Sequence, residues 1–123
     1  PTEIKAVENA IREMYPNEKV LVVFQPHLFS RTRDFSNDFA YALSKFDEIL
    51  LLDIYPAREQ PIPGITSEWL FSKIMHHQKK LTQKNQLIKD IQNSQAKVVV
   101  MLGAGDIGVL VEEITNQLKK TNK

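Results

Sequence analysis

Residues 97–108 (KVVVMLGAGDIG) hold a strand, a tight turn and the start of a helix in direct succession. Residues 98–102 are apolar on both faces, which is typical of a strand buried inside a parallel sheet. Three of the four glycines follow at once, so backbone flexibility is concentrated where the chain must turn. Residues 107–118 then repeat apolar side chains at helical spacing. A strand that runs through a glycine turn into a helix predicts an α/β fold.

The same alternation of apolar strands and amphipathic helices runs through the rest of the chain. Two more buried strands are predicted over 19–24 (KVLVVF) and 48–54 (EILLLDI), and a short edge strand over 79–82. Helices are predicted over 2–15, over 32–46, from a cap at Ser67, and around 87–91. We therefore predict one domain, residues 1–123. Its fold class is α/β, a Rossmann-like three-layer sandwich with a mostly parallel sheet flanked by helices.

Composition excludes several classes of protein. The chain has 16 basic and 15 acidic residues, so it lacks the basic excess of a general nucleic-acid binder. The absence of cysteine excludes disulfides, zinc–thiolate sites and a thiol nucleophile. No apolar run approaches the roughly 18 residues of a membrane span, and no signal peptide is evident. We predict a cytoplasmic protein without nucleic-acid or membrane partners. Because the chain begins at Pro1 without an initiator Met, we expect it to be part of a longer protein.

The loop at residues 25–34 (QPHLFSRTRD) is the strongest candidate site. Ligands of such sheets bind beyond the carboxyl ends of the strands, and this loop follows a central one. It carries His27, Arg31 and Arg33, and arginine forks suit carboxylate and phosphate oxygens. We therefore predict that these three residues bind an anionic substrate group. In the competing interpretation Arg33 pairs with Asp34 or Asp38, and Ser30 or Thr32 only caps the next helix.

The turn at residues 103–108 (GAGDIG) fits the pattern G-x-G-x-x-G, but a dinucleotide site is disfavoured. Such a site needs a second strand ending in an acidic residue about 20 positions later, and the chain ends before that. A carboxylate at Asp106 also discourages a phosphate in the first turn of a helix. We expect Gly103 and Gly105 to form a tight turn, with Asp106 as a cap or orienting group.

The remaining motifs carry no chemistry of their own. His76 and His77 are adjacent and point about 100° apart on a helix, so we predict no metal site. The serines lack a G-x-S-x-G elbow, and no G-x-x-x-x-G-K-[ST] phosphate loop is present. We predict no catalytic residue in this chain. The loop at 55–64 is interpreted either as a semi-rigid rim of the site or as a solvated connection. For Arg58 and Glu59 the sequence favours neither interpretation over the other.

Four stretches together resemble the C-terminal domain of the Mur ligases. They are PTEI (1–4), FQPH with SRTRD (24–34), DIYPARE with PIPG (53–64), and LGAGDI (102–107). Their order and spacing match from Pro1 to about Leu118. The resemblance implies a three-domain, ATP-dependent, amide-forming enzyme of peptidoglycan synthesis. It is strongest to the members that join L-alanine to UDP-N-acetylmuramate.

In that family, an N-terminal domain holds the UDP sugar and a central domain holds ATP and Mg²⁺. The C-terminal domain closes over both and helps to bind the amino acid. The resemblance implies that Arg31 lies near the amino-acid carboxylate, with His27 and Arg33 beside it. Leu28 departs from the pattern, because the family often has a basic residue there. This weakens a clamp of two basic residues and makes Arg33 an alternative for binding the carboxylate. For this chain alone we expect no bound cofactor, no ligase activity, and at most weak affinity for ATP or L-alanine.

Two other interpretations stay open at this point. A free-standing flavodoxin-like module could bind a small anion or nucleotide through the same loops without catalysis. A protein-interaction domain could dock through Trp69 and Phe71. An upstream phosphate-binding loop would favour the ligase, micromolar nucleotide binding would favour the module, and a buried Trp69 would argue against docking.

Overall fold

The computed structural model describes residues 2–103, with side chains from Ile4 onward. The helices are α1 (Thr2–Met14), α2 (Phe29–Asp34), α3 (Ser36–Leu43), α4 (Ser67–Lys73) and α5 (Lys84–Gln92). The strands are β1 (Val20–Gln25), β2 (Glu48–Leu51), β3 (Lys79–Leu81) and β4 (Val98–Gly103). The predicted helix over 107–118 lies outside the described residues. Within 2–103, no helix is long and apolar enough to cross a membrane.

The four strands form one sheet in the order β3-β2-β1-β4, and every pairing between them is parallel. Val22 of β1 lies opposite Ile49 of β2 on one side and Val100 of β4 on the other. The chain therefore leaves β1 towards one edge of the sheet and returns to β1's other side as β4. Strand order reverses between β1 and β4, which makes their carboxyl ends the expected position for a ligand.

The sheet is covered by helices on both faces, which confirms the three-layer α/β prediction. Side chains alternate along a strand, so Val22 and Phe24 point to one face, and Leu21 and Val23 to the other. The first set packs in one core with α1, α3 and α4. The second set packs with Leu87 and Ile91 of α5. Burial on both faces explains why the strands are apolar throughout.

The predicted helix over 32–46 is wrong in one respect, because the structure has two helices there. α2 begins at Phe29, and Phe35 breaks the helical path with φ −116° and ψ 20°. Thr32 is fully buried, and its hydroxyl donates to the carbonyl of Leu28 at 2.7 Å. The break lets Thr32 face the preceding loop while Phe39 packs against Phe24 of the sheet.

Two predicted boundaries also change. β2 ends at Leu51 rather than at residue 54, because the chain then crosses towards the loop after β1. Thr66, not Ser67, caps α4: its hydroxyl oxygen accepts from the amide of Trp69 at 3.1 Å. The hydroxyl of Ser67 instead donates to Asp53 at 3.0 Å.

Candidate functional site

A cleft of about 450 Å³ opens at the carboxyl ends of β1 and β4. Apolar side chains of α1, α3 and the sheet line its interior, and two basic side chains stand among them. The lining consists of Ile4, Val7, Phe24, Gln25, His27, Arg31, Phe39, Met101, Leu102 and Gly103. An apolar hollow with a few polar donors, placed where the strand order reverses, is the usual form of a small-molecule site.

His27 is held by the loop that follows β2. The amide of Leu28 donates to the carbonyl of Tyr55, and the amide of Tyr55 donates to the carbonyl of Pro26, both at 2.8 Å. The half-buried imidazole stacks on the Tyr55 ring, with centroids 5.8 Å apart and planes 22° from parallel. The loops after the two central strands therefore act as one unit, and His27 has a fixed position at the cleft.

Leu28 lies in a strained backbone conformation directly after His27. Its φ of 70° and ψ of 138° fall where residues other than glycine are rarely found. Its carbonyl accepts from both the amide of Thr32, at 3.1 Å, and the hydroxyl of Thr32. This sharp turn allows α2 to begin two residues after His27, so that Arg31 lines the same cleft as the imidazole.

Arg31 is exposed, and its guanidinium lies 5.5 Å from the centroid of the Phe35 ring. Among the described side chains it has no hydrogen-bond or ion-pair partner. Its donors are therefore available to a ligand. Arg33 differs, because its Nε lies 2.9 Å from an oxygen of Asp34 and it does not line the cleft of the described residues. The structure thus brings together His27 and Arg31 and gives Arg33 the surface pairing considered above.

Gly103 closes the β4 side of the cleft. Its φ is +146°, and a Cβ built on it would lie 2.8 Å from the carbonyl oxygen of Gln25. A close backbone approach therefore requires glycine at this position. Gly105 and Asp106, the other two residues predicted for this turn, lie outside the described residues.

Sequence reasoning missed Gln25, the last residue of β1. Its side chain is only 5% exposed, and its amide nitrogen donates to the carbonyl of Asp53 at 3.3 Å. Its amide oxygen is buried and has no hydrogen-bond partner within the described part of the chain, which is uncommon in folded proteins. A glutamine that ends an otherwise apolar strand (VLVVFQ) is the signal that could have pointed to it.

Glu59 was also missed, because its loop was interpreted as a rim or a solvated connection. One carboxylate oxygen accepts from the amide of Ser30 at 3.0 Å, and the other accepts from the Ser30 hydroxyl. These hydrogen bonds hold the pKa of Glu59 below its usual value, and the bond from the Ser30 hydroxyl has the largest effect. Glu59 therefore attaches its loop to the beginning of α2, beside Arg31.

The described residues do not fit a metal site. Within residues 4–103, no three His, Asp or Glu side chains come together as ligands. His76 and His77 stack with centroids 5.2 Å apart, and Nδ1 of His76 accepts from the amide of Gln78. We therefore derive no step through a metal ion on this part of the chain.

Two other surface features, the predicted docking residues and a hollow between α1 and α3, are less suited to bind a ligand or partner. Trp69 and Phe71 are half-buried, each with a lysine ammonium 4.3 Å from its ring centroid. A hollow of about 540 Å³ between α1 and α3 is lined by charges of both signs, including Lys5, Glu8 and Asp38. It lies away from the strand ends, and its mixed charges favour no single class of ligand.

The structure is an α/β domain with a cleft at the reversal of strand order, and comparison with known proteins shows its family. The family described as "Mur ligase, glutamate ligase domain" matches residues 1–111, and the chain belongs to this family. This confirms the resemblance identified from the four motifs.

The similar relatives carry one name. The chain is 64% identical over 118 residues to the UDP-N-acetylmuramate–L-alanine ligase of Flavobacterium psychrophilum, covering 96% of the chain and 26% of that relative. It is 63% identical to the ligase of the same name from Christiangramia forsetii, with the same coverage. For that of Parabacteroides distasonis the identity is 46% over 120 residues, or 98% of the chain and 26% of the relative. The chain spans about a quarter of the length of these curated relatives, which give no support to a free-standing flavodoxin-like module.

Proposed function

We propose that this chain is the C-terminal domain of an ATP-dependent ligase that joins L-alanine to UDP-N-acetylmuramate in peptidoglycan synthesis. The observation that carries the proposal is the cleft at the strand reversal, where Arg31 has no hydrogen-bond or ion-pair partner among the described side chains. It lies in a chain 64% identical to a relative of that name. The family membership supports the reaction class, and the cleft supports the binding of an anionic group.

In this proposal, Arg31 binds the carboxylate of L-alanine, and His27 stands beside it. A guanidinium matches a carboxylate geometrically and forms charge-assisted hydrogen bonds with it. The apolar lining around it suits a small methyl side chain. Arg33 would have to leave Asp34 to take part, and an ion pair whose side chains are 49% and 55% exposed holds it only weakly.

The chemistry requires two reactants to be held together without water. ATP phosphorylates the carboxylate of UDP-N-acetylmuramate, giving ADP and an acyl phosphate. The amine of L-alanine attacks the acyl carbon, phosphate leaves, and the amine loses a proton as the amide forms. An acyl phosphate hydrolyses readily, so a domain that closes over it protects it and orients the amine.

The proposal assigns ATP, Mg²⁺ and the UDP sugar mainly to N-terminal and central domains outside this chain. The absence of a G-x-x-x-x-G-K-[ST] motif supports that division. The task of this domain is to hold the amino acid and to close the site. In this proposal the reaction takes place in the cytoplasm, where ATP and the UDP sugar are both present.

The test is an assay of the full-length protein that contains this chain. We expect ADP release that depends on both UDP-N-acetylmuramate and L-alanine, with a product heavier by one alanine residue in mass spectrometry. Parallel assays with L-serine and glycine define the acceptor preference. Failure to form the alanyl product, with ATP and both substrates present, contradicts the proposal. The 123-residue chain alone should form no product.

A further inference from the structure

We infer that Glu59 is a positioning residue for Arg31, acting through Ser30 at the beginning of α2. This inference rests on the proposed function, because its consequence is a change in the binding of L-alanine. Glu59 does not itself contact the substrate. It fixes the short helix from which Arg31 reaches the cleft.

The contact is direct and uses both carboxylate oxygens. One accepts from the Ser30 amide at 3.0 Å and the other from the Ser30 hydroxyl. Ser30 immediately precedes Arg31, and α2 contains only six residues. A helix that short has little stability of its own, so contacts from outside decide its orientation.

Glu59 is itself held in place by its loop. Its amide donates to the carbonyl of Pro56 at 2.9 Å, closing a turn in which Ala57 has a φ of 54°. Earlier in the loop, Tyr55 pairs with the backbone on both sides of His27. The carboxylate therefore reaches Ser30 from a loop already fixed to the end of β1.

The two attachments hold the chain up to the strained residue Leu28 and again two residues after it. Tyr55 binds the chain before α2, and Glu59 binds it at Ser30. A backbone conformation as unfavourable as that of Leu28 persists only where surrounding contacts enforce it. Without Glu59, α2 is free to relax on one side, and the guanidinium of Arg31 loses its fixed direction.

Charge supports an indirect role. The structure shows no ion pair between Glu59 and Arg31 among its described residues, so the guanidinium stays available. The hydrogen bonds from Ser30 keep the pKa of Glu59 low, so the carboxylate is ionised near neutral pH. Among the described residues, the guanidinium of Arg33 also lowers the pKa of Glu59, through a weaker charge interaction without an ion pair.

The test uses the full-length ligase with Glu59→Gln, which keeps the size of the side chain and removes its charge. We expect the KM for L-alanine to rise roughly threefold to tenfold, because a charge-assisted pair of hydrogen bonds is weakened. The KM for ATP and kcat should stay within about twofold of the wild-type values. Glu68→Gln, an exposed glutamate on α4, is the matched control and should change none of them.

A double variant separates positioning from general stability. If Glu59 acts through Arg31, then Arg31→Ala with Glu59→Gln should raise the KM for L-alanine no further than Arg31→Ala alone. Additive effects would overturn the inference. Glu59→Asp should recover part of the loss. If Glu59→Gln does not fold, Ser30→Ala replaces it and must raise the same KM.

The outcomes distinguish this inference from the proposed function. Wild-type protein that does not ligate L-alanine defeats the proposed function and this inference with it. Wild-type protein that does ligate L-alanine, together with an unchanged KM in Glu59→Gln, defeats only the role of Glu59.

Discussion

Two arginines at opposite ends of the sheet have opposite surroundings. At the amino end, Arg12 of α1 donates to Glu8, to Asp47 and to the carbonyl of Lys45, each at 2.9 Å. At the carboxyl end, Arg31 has no such partner within residues 4–103, and its guanidinium lies over the Phe35 ring, 5.5 Å from the centroid. Each of the three nitrogens of the Arg12 guanidinium donates to the protein, whereas no described residue accepts a hydrogen bond from Arg31.

The difference separates an arginine that holds the fold together from one that the proposed function assigns to substrate binding. Asp47 receives Arg12 and also accepts from the amide of Val20 at 2.7 Å, so it ties α1 to the first strand. The carboxyl end contains a cleft instead, at the point where the strand order reverses between β1 and β4. We therefore expect changes at Arg12 to affect stability and changes at Arg31 to affect substrate binding.

Arg31→Ala in the full-length ligase provides the strongest test of this comparison. Loss of a charge-assisted contact with the amino-acid carboxylate costs roughly 1.5–3 kcal/mol, so the KM for L-alanine should rise about 10-fold to 100-fold. The KM for ATP should change far less. Steady-state kinetics with each substrate varied in turn measures both constants.

The matched control is Arg12→Ala, which should leave the KM for L-alanine unchanged and lower the melting temperature. Arg33→Ala should have a smaller effect on that KM than Arg31→Ala, because Arg33 is paired with Asp34. An unchanged alanine KM in Arg31→Ala would remove Arg31 from the site. A larger effect at Arg33 would transfer its role there.

Gly103→Ala tests the backbone on the cleft side of the comparison. The new Cβ would lie 2.8 Å from the Gln25 carbonyl oxygen at a φ of +146°, so β1 and β4 must move apart. Such strain costs on the order of 1–3 kcal/mol in the free energy of unfolding, measured by urea denaturation. Gly64→Ala is the control: its φ is +82°, but nothing lies within 4 Å of the added Cβ. Equal losses in both variants would argue against the close approach.

Asp47→Asn tests the amino end alone. It removes the negative charge to which Arg12 and the amide of Val20 both donate, while the isosteric side chain keeps the packing. Because the Asp47 side chain is 36% exposed, solvent screens the ion pair, and we expect a loss of about 1 kcal/mol in unfolding free energy. The KM for L-alanine should not change. Asp38→Asn, at an exposed aspartate of α3, should have little effect on either quantity.

Sequence patterns predicted the sheet and the position of its carboxyl end better than they predicted the contacts between loops. The apolar strands 19–24 and 97–102 indicated a parallel sheet, and the location of ligands in such sheets pointed to His27 and Arg31. The prediction of a parallel sheet is confirmed, because strand burial leaves a direct trace in the local sequence. The binding role of His27 and Arg31 stays a prediction. Family resemblance added the substrate class that chemistry at the residue level left open.

Contacts between distant loops were not predictable in the same way. Glu59 and Ser30 are 29 residues apart, and they meet only because the loops after β1 and β2 pair with each other. The break at Phe35 has a similar origin, since apolar spacing over 32–46 fits one continuous helix. Burial of Thr32 and the turn at Leu28 override that spacing, and neither is visible in the periodicity.

Lowering the pH tests the ion pair at the amino end directly, and of the four tests in this series it has the smallest expected effect on stability. Burial raises the pKa of Asp47, but hydrogen bonds from Val20 and Arg12 outweigh it, so the pKa lies below its ordinary value. A carboxyl group whose pKa is lowered by folding stabilises the protein at neutral pH. That contribution is lost as the pH falls below about 4 and through the folded-state value. Wild-type protein should therefore lose its stability advantage over Asp47→Asn as unfolding is measured at successively lower pH. A difference that stays constant would mean that the ionised carboxylate of Asp47 is not what stabilises the amino end.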